Sequence, residues 1–149
     1  MNFGNWEYPL IEARLVTGLA TWLAQADGFL YWHSNLWLEG DGAKIDEEGD
    51  TFFPDFRLVD VNGCCGDGVF LFPGRKGVLP GIRLANLRDG VEDWEVLQLA
   101  AERIGRARVA AIVRQAVRSP CDFTRDPAAV AAVREALADA LGQGQAMNR

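Results

Sequence analysis

Lysine is nearly missing from this chain: Lys44 and Lys76 are the only two among 149 residues, and the arginines are scattered along helical stretches. Acidic residues outnumber basic ones, 21 to 15, for a net charge of −6. A nucleic-acid surface needs clustered cations to neutralise phosphate, so no nucleic-acid partner is expected. Histidine is rarer still, with His33 alone, and Cys-x-x-Cys does not occur. A zinc site of ordinary ligand spacing cannot be assembled from that set, and neither a metal nor a cofactor is expected. The three cysteines make no disulfide framework, because Cys64 and Cys65 are adjacent and a bond between them would be strained. Reduced thiols favour the cytoplasm. No apolar run approaches the ~20 residues that span a bilayer, so no membrane partner is expected. The N-terminus lacks a basic region followed by an apolar one, which also points to the cytoplasm for the chain as it stands. A piece of a longer secreted protein would carry no such implication.

What the chain does have is apolar mass and aromatics. Hydrophobic residues make up 49% and mean hydropathy is near zero, the signature of a globular chain with a real core. The stretch around which the rest is organised is Asp27-Gly-Phe-Leu-Tyr-Trp-His-Ser-Asn-Leu-Trp37. Asp27-Gly28 is turn chemistry. Phe29 to Trp32 are aromatic or branched, which predicts a mostly buried strand. Asn35 and Trp37 then place a polar group beside a flat apolar face. The pairing suits a sugar ring, with its C–H faces and hydroxyl edges, and equally suits an aromatic core.

Before that stretch, Phe3, Trp6 and Tyr8 make an apolar start that should pack on something. Leu10 to Ala26 reads as a helix, with Ile11, Leu15, Leu19, Trp22 and Leu23 at helical spacing and Pro9 in its first turn. Leu38 to Asp50 is polar and predicts a surface loop, whose Asp46-Glu47-Glu48 run reads as solvated charge. Thr51 to Val61 is extended and kept to an edge by Pro54. Asn62 to Gly68 is a turn cluster, and Val69 to Phe72 a short strand. Gly66-Asp-Gly68 lacks the lysine and following helix of a phosphate loop. A second helix is predicted over Ile82 to Arg103, with Leu84, Leu87, Val91, Trp94 and Leu97 inward. Gly90 sits within it at a cost of ~1 kcal/mol relative to alanine, so close packing or a partner should require it. Gly105 begins a break, and a third helix is predicted from Arg106 to Arg118 with Val109, Ile112, Val113 and Val117 as its stripe. Asp126-Pro127 is a helix start. The last helix uses Val130, Val133, Leu137 and Leu141 and should stop at Gly142, leaving Gln143 to Arg149 frayed.

Three blocks, in order from Pro9 to Leu99, resemble a known family. Trp22, Asp27-Gly-Phe-Leu-Tyr-Trp32, Asn35 and Trp37 are similar to the C-terminal catalytic segment of glycoside hydrolase family 123 and its relatives (domain of unknown function 4091). Gly66-Asp-Gly68 with Val69-Phe-Leu-Phe-Pro-Gly74 resembles the family's glycine, strand and Tyr-Pro-Gly run, with Phe72 in the tyrosine's place. Pro80-Gly-Ile-Arg83, Leu87-Arg-Asp-Gly90 and Glu92-Asp-Trp-Glu95 resemble Ser-x-Arg, Arg-Asp-Gly and Glu-Asp-Tyr-Glu. Gly81 replaces the serine there, and Trp94 the tyrosine. The resemblance implies an α/β fold, mostly helical with few strands, that forms the last part of a (β/α)8 barrel and is too short to close one alone. Phe29 to Trp32 would be a late barrel strand and Ile82 to Arg103 the closing helix. Residues 1–105 would form the barrel end, with 106–149 a helical pair packed on it in the same domain.

Active sites of such barrels lie at the C-terminal ends of the strands, so the resemblance makes Trp32, Asn35 and Trp37 the expected substrate-binding residues. Family enzymes act on β-linked N-acetylgalactosamine, with the substrate's acetamide as nucleophile and an acid pair to orient it and donate the proton. That pair belongs to an earlier strand and has no counterpart here, so no catalytic residue is expected and the isolated chain should not hydrolyse. Neither Asp46-Glu47, in a loop, nor Glu92-Asp93, in the helix block, fills the gap. Arg83, Arg88, Asp89, Glu92 and Asp93 are expected to form a structural charge network. The expected function is that of a C-terminal portion or remnant of a family 123-like protein. The alternative is a non-catalytic oligomerising or carbohydrate-binding domain. The expected partners are a glycan, and either a second copy or an upstream barrel segment.

Overall fold

The structure, a computed structural model, describes residues 8–36, 44–45, 52–53, 60–61, 64–73, 77–119 and 121–146. Among these residues the chain is mostly helical, with short strands that pair only two at a time and close no barrel. It divides into two compact units. One is Met1–Leu10 with Leu30–Asn86, and the other is Ile11–Phe29 with Leu87–Arg149. Phe3, Trp6, Trp37, the Asp46-Glu47-Glu48 run and Pro54 lie outside the described residues.

The second unit holds the main core. Its first helix runs as Ile11–Leu15, a π-helical stretch Val16–Ala20 and a last turn Thr21–Leu23. The π geometry shows in the Thr21 N–H, which reaches back to the Val16 carbonyl, a carbonyl that also accepts from Thr21 Oγ1 at 2.6 Å. The expected end at Ala26 is three residues too late. The chain leaves the helix through Gln25 at φ 59°, with its N–H on the Trp22 carbonyl, so the turn is made ahead of Asp27-Gly28. Trp22 is buried and donates its indole N–H to Gln98 Oε1 at 2.8 Å. Arg106 covers the ring at 4.1 Å and caps the Trp22 carbonyl at 2.6 Å, a cation–π contact joined to a hydrogen bond.

The second helix, Ile82–Ile104, crosses the boundary between the units. Its buried face in the second unit is Gly90, Asp93, Leu97 and Ala100; of the expected stripe Leu97 is buried and Trp94 packs against the core, whereas Val91 is 46% exposed. The reason is backbone contact with the first helix. A Cβ at Gly90 would lie 2.0 Å from Thr17 Oγ1 and 2.7 Å from the Arg14 carbonyl, and one at Gly18 would lie 2.6 Å from the Gly90 carbonyl. The close packing anticipated at Gly90 is therefore present, and it turns the face of the helix by one position. Leu15, Leu19, Trp22, Leu97 and Ala100 then join Val109, Val113, Val130, Val133 and Leu137 in one apolar cluster.

The third helix ends at Val113 rather than Arg118. Val117–Ser119 instead pairs antiparallel with Asp122–Phe123, and the Thr124 N–H closes on the Ala116 carbonyl at 2.8 Å. The β-branched Val117 still reaches the core, now from a strand. Asp126 caps the last helix through the Ala128 N–H at 2.9 Å, with Pro127 at its first position. That helix continues through Gly142 to Ala146; a glycine stops a helix only where it takes the left-handed conformation, and Gly142 does not.

In the other unit the expected buried strand Phe29 to Trp32 is not formed. Leu30 is 85% exposed and Trp32 51%, and ladder hydrogen bonds begin only further on. The Leu36 N–H donates to the Gly68 carbonyl, the Phe70 and Leu71 N–H groups to the Ser34 carbonyl, and Asn35 bridges Val69. A strand exists where its neighbour supplies partners, and among the described residues the neighbour lies opposite Ser34–Leu36. Within the expected loop and extended segment, Lys44–Ile45 pairs with Phe52–Phe53, and Asp60–Val61 pairs with Cys64–Cys65. Leu71–Pro73 pairs with Val78–Pro80 as a hairpin leading into Ile82.

Gly90→Ala should lower stability by about 2–3 kcal/mol, the upper part of the overpacking range, although alanine is the better helix former. The midpoint of denaturant unfolding measures this, and an unchanged or raised midpoint would mean the helices do not meet at Gly18 and Gly90.

Candidate functional site

Gly66–Gly68 makes a turn directly after the Cys64–Cys65 strand, and the segment Tyr31–Leu36 lies across it. Asp67, 8% exposed, presents Oδ1 to two aromatic donors at once. The Tyr31 hydroxyl donates to it, and Trp32 Nε1 donates at 3.1 Å. The Tyr31 oxygen in turn accepts the Gly68 N–H at 3.3 Å. Gly68 has φ 79°, and a Cβ there would stand 3.2 Å from Trp32 Cζ2, 3.2 Å from His33 Cβ and 3.1 Å from Leu36 Cβ. Glycine is required twice over, for its backbone conformation and for the room it leaves. Beneath, Tyr31 stacks on the buried Phe70 with ring centroids 4.7 Å apart, and Trp32 meets His33 edge-on at 5.5 Å.

The outcome is a half-exposed tryptophan whose indole N–H is tied to Asp67. Such a surface offers apolar contact to a ligand with C–H groups. Asn35 is exposed nearby in sequence, its backbone N–H on His33 Nδ1 at 3.3 Å. Trp37 lies outside the described residues. Burial first, and the Asp67 carboxylate next, raise Tyr31 above the ordinary tyrosine value, so its hydroxyl remains a donor.

The five charged residues of the expected network occupy three places. Arg83 is buried in the first unit and donates from Nη2 to the Tyr8 carbonyl at 2.9 Å. It also lines an apolar cleft of about 220 Å³ with Leu10, Val69, Phe72, Gly81 and Ile82. In the second unit Asp93, 3% exposed, is gripped in two-pronged fashion by Arg14, at 2.6 and 3.1 Å, and by Arg134 at 2.9 Å. The hydrogen bond to Asp93 is the main reason the Arg14 guanidinium lies above its ordinary value. Arg88 pairs at the surface with Asp89 at 2.6 Å and stands 3.8 Å from Glu92, holding Asp89 below the usual carboxylate value.

Tyr31 and Asp67 were not singled out in the sequence. Both stand in blocks that resemble the family, but Gly66-Asp-Gly68 reads locally as a turn and Tyr31 as a strand aromatic, so neither sequence context assigns a site role. Among the described residues no group of His, Cys, Asp and Glu could hold a metal ion, and no helix is long and apolar enough to cross a membrane. The family model described as glycoside hydrolase 123, catalytic domain, matches residues 6–100. The match spans Tyr31, Trp32, Asp67, Arg83, Gly90 and Asp93. Comparison with curated proteins finds no match.

Two measurements check this geometry. A folded-state value above the ordinary ~10 stabilises the protein below that pH and loses the contribution as pH rises through and beyond it. Tyr31→Phe should therefore flatten the alkaline fall in stability and remove a late phenolate absorbance step. Asp93→Ala should cost about 3–5 kcal/mol in a denaturant midpoint, because it leaves Arg14 half-buried without its carboxylate, whereas Arg88→Ala should leave the midpoint unmoved.

Proposed function

The chain belongs to the glycoside hydrolase 123 catalytic-domain family, and from that membership we propose that it is the carbohydrate-contacting C-terminal portion of such a protein. The ligand class is a β-linked N-acetylhexosamine glycoside. Trp32 provides the stacking face, and Asn35 and Trp37 provide further contacts. The acid pair of the reaction comes from outside this chain, which alone does not hydrolyse. The observation that carries the reading is Trp32 itself: 51% exposed, with its only polar atom bound to Asp67. An indole left half in water, with its N–H held from within, is built for contact rather than for filling a core.

Leu30, Val78 and Ile82 are also exposed in the same unit. Their exposure supports an upstream barrel segment as the partner: a neighbouring strand would cover Leu30. The alternative occupant is a second copy of the chain. Within this proposal Arg83, Arg88, Asp89, Glu92 and Asp93 serve structure and do no chemistry.

Titration with the methyl β-glycoside of N-acetylgalactosamine, followed by tryptophan fluorescence, tests the proposal. The unmutated chain should give a saturable shift, and Trp32→Ala should weaken binding about tenfold, as expected for losing one ring face of apolar contact. Absence of any shift in the unmutated chain would overturn it. A chromogenic β-N-acetylgalactosaminide should remain intact; turnover by the chain alone would show that the acid lies within it.

A further inference from the structure

We propose that Asp67 is the positioning residue of Trp32, fixing the plane of the exposed indole before any ligand arrives. Three observations converge on it. One oxygen, Oδ1, accepts from both Trp32 Nε1 and the Tyr31 hydroxyl, so two consecutive aromatics are pinned to one point. The carboxylate is buried while the ring it holds is half exposed, so the anchor is inside and the surface it controls is outside. Gly68 alone leaves space for the edge of the Trp32 ring, which would stand 3.2 Å from any Cβ there.

A tryptophan half exposed to solvent would otherwise sample several rotamers, and a ligand would have to order it on binding. With the indole N–H held, rotation about the side-chain bonds is blocked and the face presented to solvent is single. Tyr31 stiffens the arrangement from the other side, stacked on Phe70 and accepting the Gly68 N–H. Asp67 touches no ligand in this scheme; it acts through Trp32.

The use of the preset face for a glycan rests on the function proposed above, but the orientation can be read without ligand. In the full chain labelled with 15N, loss of one indole signal in Trp32→Phe identifies the Trp32 N–H. In the unmutated protein that proton should exchange slowly with solvent despite the exposed ring; rapid exchange would overturn the proposal before any Asp67 variant is made. Asp67→Ala should move the signal to the position of a free indole and speed its exchange at least tenfold. Asp67→Asn, which keeps an oxygen at Oδ1, should restore both. An unshifted Trp32 signal in a folded Asp67→Ala would refute positioning, and a residue that merely stabilised the fold would show no such rescue confined to one indole. With the methyl β-glycoside of N-acetylgalactosamine, Asp67→Ala should bind about fivefold more weakly and Asp67→Asn within twofold of the unmutated chain. If the unmutated chain ignores the glycoside while its indole proton is protected and depends on Asp67, the glycan function fails and the positioning role stands.

Discussion

The second unit depends on one close approach: the backbone of Gly90 against Thr17 and Arg14, with Gly18 set against Gly90 in return. Two helices can come this near because a glycine on each leaves room, Gly90 for the Thr17 side chain and the Arg14 backbone, Gly18 for the Gly90 carbonyl. Everything buried around the crossing follows from that depth. Leu97 and Ala100 reach the Leu15, Leu19 and Trp22 face, and Arg14 comes within hydrogen-bonding distance of both Asp93 oxygens. The π-helical turn at Val16–Ala20 falls over the same contact. Widening one turn of a helix redirects its face, which places Thr17 and Gly18 at the crossing while Leu15 and Leu19 stay in the core.

How much of this was legible in the sequence depended on whether the signal was local. Asp126-Pro127 announces its helix, because cap and first-turn chemistry act within four residues. Gly90 was readable as a demand for space, but its partners were not, since nothing in a helical pattern names Thr17 and Arg14 on the first helix as the residues it meets. The same blindness misplaced the buried face: Val91 has the hydropathy, yet the glycine contact decides the rotation. Gln25 shows the converse error. Asp27-Gly28 has the better turn chemistry, but the Trp22 carbonyl is capped by Gln25 and Arg106, and the chain turns there.

The site was half visible for a related reason. Phe29 to Trp32 has the composition of a buried strand, and composition reports what a segment could bury, not what lies beside it. No strand is formed over these residues, and their side chains divide. Tyr31 goes in, and Leu30 and Trp32 stay largely out. Asp67 was hidden because an aspartate between glycines satisfies every local rule for a turn, and only the fold reveals the aromatic donors around it.

The buried acids of the described residues are divided among separate structural tasks. Glu12, Asp67 and Asp93 are the buried carboxylates among the described residues. Glu12 is held by Arg125 and Asp93 by Arg14 and Arg134, while Asp67 holds Tyr31 and Trp32. A proton-donating acid must present its carboxyl to a substrate within hydrogen-bonding reach, and a two-residue mechanism needs a pair of groups converging on one point. Among the described residues each buried acid already holds an arginine or a pair of aromatic donors. What the described part of this site leaves half in water is Trp32, its indole N–H already committed to Asp67.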